Sequence, residues 1–333
     1  MNAGEVSQEE IIAPSAPLPL IGESAPMQEV IRLIERVAPT EASVLVTGES
    51  GSGKELVAQM IHARSARAAG PFVAINCGAI PAGLIEAELF GYEKGSFTGA
   101  GRAHAGVFER AEGGTLLLDE VTEMPLDMQT RLLRVLETRT LYRVGGATQV
   151  AIDVRVIAAT NRSPASAVRD GQLREDILYR LAVFPVPVPP LRVRGDDVER
   201  LADHFLAELN KAAGSAKRFS DAARASLKAH AWPGNVRELR NCIERAFILA
   251  DSVLEIEPLL IDAGEPAKQT VIDRTRLEIR VGSRIDDVER SLIEATLAHF
   301  EGNKRRAAET LGCSLKTLYN KLNSYCRKQE YAN

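Results

Sequence analysis

Residues 48–55 read Gly-Glu-Ser-Gly-Ser-Gly-Lys-Glu and lie between the apolar run Val44–Val46 and a helical pattern that begins near Lys54. Glycines let the backbone wrap around a phosphate without Cβ clashes, so that several N–H groups point at the anion. The helix that follows presents the positive end of its dipole to the same anion. This order of strand, glycine-rich turn and helix predicts a phosphate-binding loop. The alternative is a glycine-rich surface turn, which a second, acidic motif disfavours.

The lysine of this loop is expected to reach the β- and γ-phosphates of a nucleotide. Glu55 departs from the general pattern, which has Ser or Thr at that position to bind Mg²⁺. The predicted nucleotide-binding loop comprises Gly48, Glu49, Ser50, Gly51, Ser52, Gly53, Lys54 and Glu55.

Composition places the chain among soluble globular proteins, with 45% hydrophobic and 26% charged residues. Its 333 residues predict two or three domains. It contains no apolar run long enough to cross a membrane, and its N-terminus has no basic segment followed by an apolar one. The four cysteines are scattered, which favours reduced thiols over zinc or disulfides. We therefore expect a cytoplasmic protein without a membrane partner.

The acidic motif follows the apolar run 115–118 and consists of Asp119 and Glu120, 65 residues after Lys54. At the carboxyl end of a strand, Asp119 lies where Mg²⁺ on the phosphates would be bound. Glu120 is placed to polarise an attacking water. A solvated strand end is the alternative for a lone acidic pair, and the spacing from the lysine favours the functional interpretation.

Another apolar strand is predicted over residues 154–161 and ends at Thr160 and Asn161, whose amide could sense the γ-phosphate. Strands that alternate with helices, with polar residues at their carboxyl ends, predict an α/β nucleotide-binding domain. The predicted organisation is a flexible tail (1–20), an α/β domain (21–190), an all-helical domain (191–263), a linker (264–284) and a helical C-terminal domain (285–333).

Residue patterns alone do not decide the roles of two further segments. The stretch 91–101 has four glycines and a central Phe97, which is either a contact device or an incidental exposed aromatic. Arg174 and Arg180 on a charged helix are either solvated ion-pair partners or arginine fingers supplied to a neighbouring subunit. Farther along, Asn235 with Glu238 three residues later predicts a helix N-terminus of capping-box type.

The C-terminal segment predicts a helix-turn-helix unit, with helices over 304–311 and 314–325 joined by a turn that contains Gly312. Residues 302–330 include seven Lys or Arg and two Glu, although the whole chain has a net charge of −4. This local positive charge suits phosphate contacts, and such readers usually act as dimers. An ordinary three-helix packing unit is the alternative. The predicted DNA contacts are Lys304, Arg305, Arg306, Ser314, Lys316, Thr317, Tyr319, Asn320 and Lys321.

From Ile21 to Tyr325, the sequence resembles the sigma-54-dependent transcription activators, the bacterial enhancer-binding proteins of the AAA+ ATPase superfamily. The resemblance is carried by GESGSGKE, ELFGYEKGSFTGA, GGTLLLDE, VIAATN, LREDILYRL, WPGNVREL and GNKRRAAETLGCSLKTLYNKL. It implies an α/β AAA+ P-loop NTPase fold, a parallel sheet flanked by helices, with a helical lid and an all-α Fis-type helix-turn-helix domain. Glu after the loop lysine is usual in this family.

The resemblance also implies roles for single residues. Lys54 would bind phosphate, Asp119 would bind Mg²⁺, and Glu120 would position the hydrolytic water, with Asn76 holding Glu120 off-line. Thr160 and Asn161 would form the first sensor of the nucleotide, and Arg237 would form the second sensor. Arg174 and Arg180 would be the arginine fingers supplied in trans. The contact with sigma-54 would involve Gly95, Ser96, Phe97, Thr98, Gly99 and Ala100.

The implied function is ATP-driven remodelling of the sigma-54 RNA polymerase closed complex by a ring, usually a hexamer assembled from dimers bound to enhancer DNA. The sequence departs from the family pattern at Ser96, where Ala is usual, and at Val193, where Glu is usual. The change at Val193 puts one local salt bridge of the family in doubt. No receiver domain precedes Ile21, so control is expected from a regulatory protein in trans, from expression level or from the short tail. The alternatives are another class of AAA+ remodelling machine and a DNA-binding regulator whose ATPase fold is purely structural.

Overall fold

The computed structural model describes residues 20–256 and, nearer the C-terminus, residues 289, 292–293, 295–297, 299–300, 303–318 and 321. The chain divides into two compact units between residues 260 and 261. Most of the predicted tail (1–20) and the whole predicted linker (264–284) lie outside the described residues.

The first unit begins with an α/β domain. Its helices and strands are α1 (Ala25–Val37), β1 (Val44–Thr47), α2 (Lys54–Ala63), β2 (Phe72–Asn76), α3 (Ile85–Phe90), α4 (Val107–Arg110), β3 (Thr115–Asp119), α5 (Leu126–Thr138), β4 (Thr140–Tyr142), β5 (Gln149–Ala151), β6 (Arg155–Thr160), α6 (Pro164–Arg169), α7 (Glu175–Leu181) and β7 (Phe184–Pro187). The lid that follows contains α8 (Asp197–Ala213), β8 (Arg218–Phe219), α9 (Asp221–Ala229), α10 (Asn235–Leu249) and β9 (Val253–Leu254).

A five-stranded parallel sheet in the order β2-β3-β6-β1-β7 forms the centre of the α/β domain. Its alternate side chains enter two cores: Leu45 packs with residues of α3, α4, α5 and α7, whereas Val44 and Val46 pack with residues of α1 and α2. Every residue of β6 is buried, as expected for a central strand covered on both faces. The predicted parallel sheet flanked by helices is therefore confirmed.

The carboxyl ends of the strands meet at one edge of this sheet. Thr47 of β1 is in register with Thr160 of β6, and Asn76 of β2 is in register with Asp119 of β3. Because all the strands are parallel, the loop after β1 and the acids after β3 lie on the same side of the molecule. The topology thus assembles the polar residues that the sequence places far apart.

The lid is built around Trp232, which is fully buried and donates its indole N–H to the Leu227 carbonyl at 2.9 Å. Its core also contains residues of α8, α9 and α10. The prediction of an all-helical domain is wrong in one respect, since β8 and β9 form a short parallel pair. No described helix is long and apolar enough to pass through a bilayer.

The sequence patterns do not predict two further strands, β4 and β7. The segment 185–190 contains four prolines, a residue type that disfavours strands, yet Phe184–Pro187 forms β7. It pairs with β1 at the edge of the sheet, where a proline need not donate to a second neighbour. Thr140–Tyr142 pairs with β5, so β4 and β5 form a hairpin whose connection includes residues 143–146.

The prediction that Asn235 caps α10 is also wrong. Gly234 occupies the N-cap position and Asn235 is the first helical residue, with a positive φ of 54°. The Asn235 side chain instead accepts a hydrogen bond from the Leu191 N–H at 2.8 Å and donates to the phosphate loop. Half of the capping box is present, because Glu238 accepts from the Gly234 N–H at 2.8 Å.

In the second unit, α11 (Lys304–Thr310) is followed by Gly312 with φ of 66° and by helical residues at 315–318. Ser314 caps this second segment, since its Oγ accepts from the Thr317 N–H at 3.1 Å. Ile293, Ala307, Ala308 and Leu318 form the described core. The order of helix, glycine turn and capped helix agrees with the predicted helix-turn-helix.

Candidate functional site

The phosphate loop joins β1 to α2 and is shaped by two glycines with positive φ. Gly51 has φ of 73° and Gly53, at the N-cap of α2, has φ of 103°. N–H groups of the first turn of a helix have no intrahelical partner and therefore face the loop concavity. Lys54 is buried, and its Nζ donates to the Gly48 carbonyl at 3.0 Å. Within the described residues, the buried Ser52 Oγ has no hydrogen-bond partner.

Asp119, the last residue of β3, and Glu120, which follows it, lie beside this loop. Glu120 has φ of 50°, and its Oε1 is 3.7 Å from the Lys54 Nζ. Its Oε2 accepts from the Asn161 N–H at 3.1 Å. Asp119 accepts from the Glu120 N–H at 3.0 Å through Oδ1. The strand-end positions predicted for both carboxylates agree with the structure.

Asn76 contacts a different acid from the one that the resemblance implied. Its Nδ2 lies 3.3 Å from Asp119 Oδ2, and its Oδ1 accepts from the N–H groups of Gly78 and Ala79. In this structure the Glu120 carboxylate contacts the Asn161 N–H and the Lys54 ammonium instead. The predicted contact between Asn76 and Glu120 is therefore replaced by one between Asn76 and Asp119, because Asn76 and Asp119 are in register on adjacent strands.

The lid closes on the phosphate loop through several hydrogen bonds. The Arg237 guanidinium donates to Ser50 Oγ at 3.0 Å, and the Val236 N–H donates to the Gly51 carbonyl at 3.0 Å. Glu49 receives two hydrogen bonds from Arg192, at 2.7 and 2.6 Å, and a third from Asn235 at 3.1 Å. The hydrogen bonds from Arg192, with a smaller contribution from Asn235, hold the pKa of the Glu49 carboxyl below its usual value.

Arg194 is a cation of this site that the sequence patterns did not identify. It is buried and donates through Nη2 to the carbonyls of Ser52 at 2.6 Å and Pro189 at 2.7 Å. Burial lowers its pKa to about 10, so that the guanidinium remains protonated at neutral pH. It therefore brings a fixed positive charge to the back of the phosphate loop.

A cavity of about 430 Å³ lies between the phosphate loop and the lid. The predicted site residues that line it are Ser50, Gly51, Ser52, Gly53, Lys54, Glu55, Asp119, Glu120 and Arg237. The residues of its lining that sequence reasoning missed include Leu20, Ile21, Arg194, Leu201, His204, Phe205 and Arg240. No local pattern marks these residues of the lid and of the segment before α1, which approach the phosphate loop only in the folded chain.

Seven residues predicted for the nucleotide site are not part of the cavity lining within the described chain: Gly48, Glu49, Asn76, Thr160, Asn161, Arg174 and Arg180. Thr160 is buried and shares a hydrogen bond of 3.0 Å with Thr122. Arg174, at the N-cap of α7 and not inside the helix, forms a bidentate pair with Asp176. Arg180 donates to the Leu136 carbonyl at 2.7 Å. Both arginines thus lie apart from the cavity of their own chain.

The glycine-rich stretch forms a loop, residues 92–104, which we call the contact loop. Tyr92 and His104 close its base through two reciprocal backbone hydrogen bonds of 2.9 Å. Phe97 is 41% exposed, and its ring lies edge-on to that of Tyr92 with 4.9 Å between centroids. Gly95, Thr98 and Gly99 are also exposed. Of the predicted contact residues, Ala100 is buried, and Ser96 Oγ is buried without a hydrogen-bond partner among the described residues.

The predicted DNA contacts in the second unit are mostly exposed. Lys304, Arg305, Arg306 and Lys316 lie on its surface, as do Ser314 and Thr317. Lys321 forms an ion pair of 2.5 Å with Glu289, so part of its charge is neutralised. Tyr319 and Asn320 lie outside the described residues.

The cavity has the chemistry that a nucleoside triphosphate requires. Lys54, Arg194 and Arg237 supply positive charge together with the N-terminus of α2, while Ile21 and Phe205 supply apolar surface for a base. Ser52 Oγ, which has no hydrogen-bond partner in the described part of the chain, is a further polar group at the loop. The carboxylates of Asp119 and Glu120 are hard oxygen ligands of the kind that Mg²⁺ prefers. This fold and this site define the class of P-loop nucleotide-binding proteins.

Three domain families match the chain. The Sigma-54 interaction domain matches residues 20–187, the AAA+ ATPase lid domain matches residues 192–270, and the bacterial regulatory protein Fis family matches residues 284–325.

Relatives and solved structures agree with these matches. The chain is 46% identical to the transcriptional regulatory protein FlbD of Caulobacter vibrioides over 92% of its own length and 70% of FlbD. It is 41% identical to the regulator NtrC of Rhizobium meliloti, with coverages of 92% and 69%. The nitrogen fixation protein AnfA of Azotobacter vinelandii is 46% identical, but the chain spans only 58% of it. The crystal structure of Brucella abortus NtrX in complex with ADP superposes with a TM-score of 0.69 at 38% identity, covering 93% of this chain and 70% of NtrX.

The chain therefore belongs to the sigma-54-dependent transcription activators, AAA+ ATPases that carry a Fis-type DNA-binding domain.

Proposed function

We propose that the chain binds and hydrolyses ATP in the cavity between the phosphate loop and the lid, and that it uses the energy to convert the sigma-54 RNA polymerase closed complex into the open complex. The main support is the convergence of Lys54, Asp119, Glu120 and Arg237 on one cavity. A structure of Brucella abortus NtrX was obtained in complex with ATP, and it aligns with 92% of this chain.

Each group at the cavity has a distinct task in this proposal. Lys54 and the N–H groups of the loop bind the phosphates, and Arg237 of the lid adds a second positive contact. Glu120 orients and deprotonates the attacking water, while the Asn161 N–H fixes the carboxylate that does so. Asp119 would hold Mg²⁺, which neutralises charge on the phosphates when bound. Asn161 would sense the γ-phosphate through Glu120, whose carboxylate its N–H holds, and Thr160 precedes it at the end of β6.

Substitution of Glu120 tests the hydrolytic site. Because the general base contributes about 10²- to 10⁴-fold to rate, Glu120→Gln should lower kcat by at least about 100-fold while ATP binding is retained. Lys54→Ala should abolish binding itself. Glu35→Gln is the matched control, since Glu35 pairs with Arg64 on the exposed surface. Normal phosphate release by Glu120→Gln would refute the assignment.

The contact loop is proposed to engage sigma-54 through Phe97 and Thr98, with Gly95 and Gly99 as hinges. Its support is an exposed aromatic between glycines that have φ of 83° and 114°. Thr98→Ala and Phe97→Ala should retain ATPase activity but lose promoter opening. If transcription from a sigma-54 promoter survives both changes, another class of AAA+ remodelling machine becomes the better interpretation.

The second unit is proposed to hold dimers on enhancer DNA, which raises the local concentration for assembly of the ring, a hexamer in this family. Its support is the exposed set of Lys304, Arg305, Arg306 and Lys316. Lys316→Ala should weaken binding to all DNA sequences alike and reduce the salt slope by about 1, as expected for one lost phosphate contact. An unchanged salt slope would remove Lys316 from the interface.

A further inference from the structure

Asp197, the first residue of the lid helix α8, is buried with 1% exposure and holds the segment that leads into α1. Its Oδ1 accepts from the N–H groups of Glu23 at 2.8 Å and Ser24 at 3.1 Å. Its Oδ2 accepts from the Ser24 hydroxyl at 2.6 Å. A buried carboxylate is stabilised only when donors of this kind surround it, so the segment and the carboxylate depend on each other.

The segment held by Asp197 forms part of the cavity wall. Leu20 packs on the core that α1 and α2 form with the sheet, whereas Ile21 packs on the core of the lid. Both residues line the cavity. A Cβ at Gly22 would lie 2.9 Å from Asp197 Oδ2, which shows how closely the backbone passes over the carboxylate. Asp197 bonds to Glu23 and Ser24, which lie three residues after Leu20 and Ile21 respectively. These bonds therefore fix the position of Leu20 and Ile21.

The same acid also lies next to the phosphate side of the cavity, through Arg194. The Asp197 N–H donates to the Arg194 carbonyl at 3.1 Å, and the Arg194 guanidinium donates to the Ser52 carbonyl at 2.6 Å. The phosphate loop, however, has many other contacts, with Glu49, Ser50 and Gly51 all bonded to the lid. The apolar wall at Leu20 and Ile21 depends more directly on Asp197 than the phosphate loop does.

We propose that Asp197 is a positioning residue for the nucleobase: by holding Glu23 and Ser24, it fixes Leu20 and Ile21 as the apolar surface against which the base packs. The inference rests on the proposed nucleotide site. It separates recognition of the base, which depends on Asp197, from retention of the phosphates, which depends on the loop.

Comparison of ATP with inorganic tripolyphosphate tests this separation in the full-length chain. Asp197→Asn keeps the size of the side chain but removes the charge and one acceptor oxygen. Its dissociation constant for ATP should rise about tenfold, as expected from the loss of a hydrogen bond to a charged group. The constant for tripolyphosphate should stay within about twofold of wild type. In steady-state assays, KM should rise while kcat at saturating ATP is retained.

Matched variants exclude a general loosening of the lid. Asp203 is on the same helix, α8, and pairs with Arg224 on the exposed surface. Asp203→Asn should therefore leave the affinities for ATP and for tripolyphosphate unchanged. Ser24→Ala removes only the hydroxyl donor to Asp197, so it should weaken ATP binding but not tripolyphosphate binding. Ser24→Thr keeps a hydroxyl at this position and should bind ATP like the wild type. Ser24→Ala decides the question if Asp197→Asn fails to fold.

The outcomes separate this inference from the proposed function. Equal losses for ATP and tripolyphosphate in Asp197→Asn, or no loss of ATP affinity in Ser24→Ala, would overturn the positioning role. A wild-type chain that binds neither ligand would instead refute the nucleotide site itself.

Discussion

At the scale of single residues, the α/β domain contains a buried polar cluster that takes no part in the cavity. His62 of α2 shares a hydrogen bond of 2.9 Å with Thr115 Oγ1, and its Nε2 has no partner among the described residues. Arg155, also buried, donates to the carbonyls of Val37 and Ala38 at the end of α1. Burial, with a smaller contribution from the charge of Arg155, lowers the pKa of His62. Burial therefore favours the neutral form of the His62 imidazole.

This neutral imidazole makes stability depend on pH. Because the pKa of His62 is lower in the folded state than the unfolded value near 6.5, unfolding takes up a proton as pH falls below that value. The contribution of neutral His62 to stability is complete above about pH 6.5 and is lost as pH falls towards the folded pKa.

Urea unfolding at pH 8.0 and pH 5.5 measures this effect. His62→Gln keeps a polar group near Thr115 but does not titrate, so its free energy of unfolding should fall less between the two pH values than that of wild type. Identical pH dependence of the two proteins would show that His62 does not contribute.

Gly51 combines a positive φ with close contact to the lid. A Cβ there would lie 2.5 Å from the Gly234 carbonyl, in addition to the strain of φ at 73°. Gly51→Ala should lower thermal stability and also weaken ATP binding, because the lid must move away from the phosphate loop. Gly214→Ala is the matched control, since Gly214 has φ of 61° but no neighbour within 4 Å of its Cβ position. That control should lose about 1–2 kcal/mol of stability and keep normal ATP affinity. Equal ATP affinities for the two variants would contradict the role of the contact.

At the scale of elements, the contact loop is anchored on the hairpin formed by β4 and β5. Arg143, in the turn of this hairpin, donates two hydrogen bonds to Glu109 of α4, at 2.9 and 2.6 Å, and one to Glu93 of the loop at 3.1 Å. The Glu93 N–H donates to the Val144 carbonyl at 3.0 Å. The loop base is thus fixed while the tip around Phe97 is exposed, an arrangement that suits a contact device.

Removal of the Arg143 charge should release the base of the contact loop. Hydrogen bonds to charged groups contribute about 1.5–3 kcal/mol, so local opening in Arg143→Gln should increase at least about tenfold. Limited trypsin digestion measures this opening through cleavage after Lys94 and Arg102, which are both exposed. Arg224→Gln, which breaks an exposed pair on the lid, serves as the control. Unchanged cleavage in Arg143→Gln would show that the backbone bonds alone hold the loop.

At the scale of the whole molecule, the arginines of α7 require a second copy if they act in ATP hydrolysis. Arg174 and Arg180 are absent from the lining of the cavity in their own chain, as far as that lining is described. Under the proposed function, the finger is supplied by the next subunit of a ring. A single chain then contributes a pocket on one side and a finger on the other.

Mixing of subunits tests this division. Glu120→Gln lacks the general base and Arg174→Ala lacks the finger, so each alone should be inactive. In a random 1:1 mixture, about a quarter of the interfaces combine an intact pocket with an intact finger, and ATPase activity should reappear accordingly. A mixture of Arg174→Ala with Arg180→Ala should stay inactive, since both defects lie on the finger side. Supply in trans would be contradicted if ATPase activity recovered only in the mixture of Arg174→Ala with Arg180→Ala, or in neither mixture.

The sequence by itself determined the phosphate loop, the acids after β3, the α/β class and the helix-turn-helix. Each of these follows from a local pattern of glycines, apolar strands or charge, in which the residues that act together are close in the chain or at the ends of adjacent strands. Only the tertiary structure decided which residues of the lid complete the cavity. The bond between Arg194 and Ser52 joins residues 142 apart, and the bond between Asp197 and Glu23 joins residues 174 apart. No local periodicity encodes such contacts, because they arise when separately folded elements pack, and the same packing gave the proline-rich segment its place as edge strand β7.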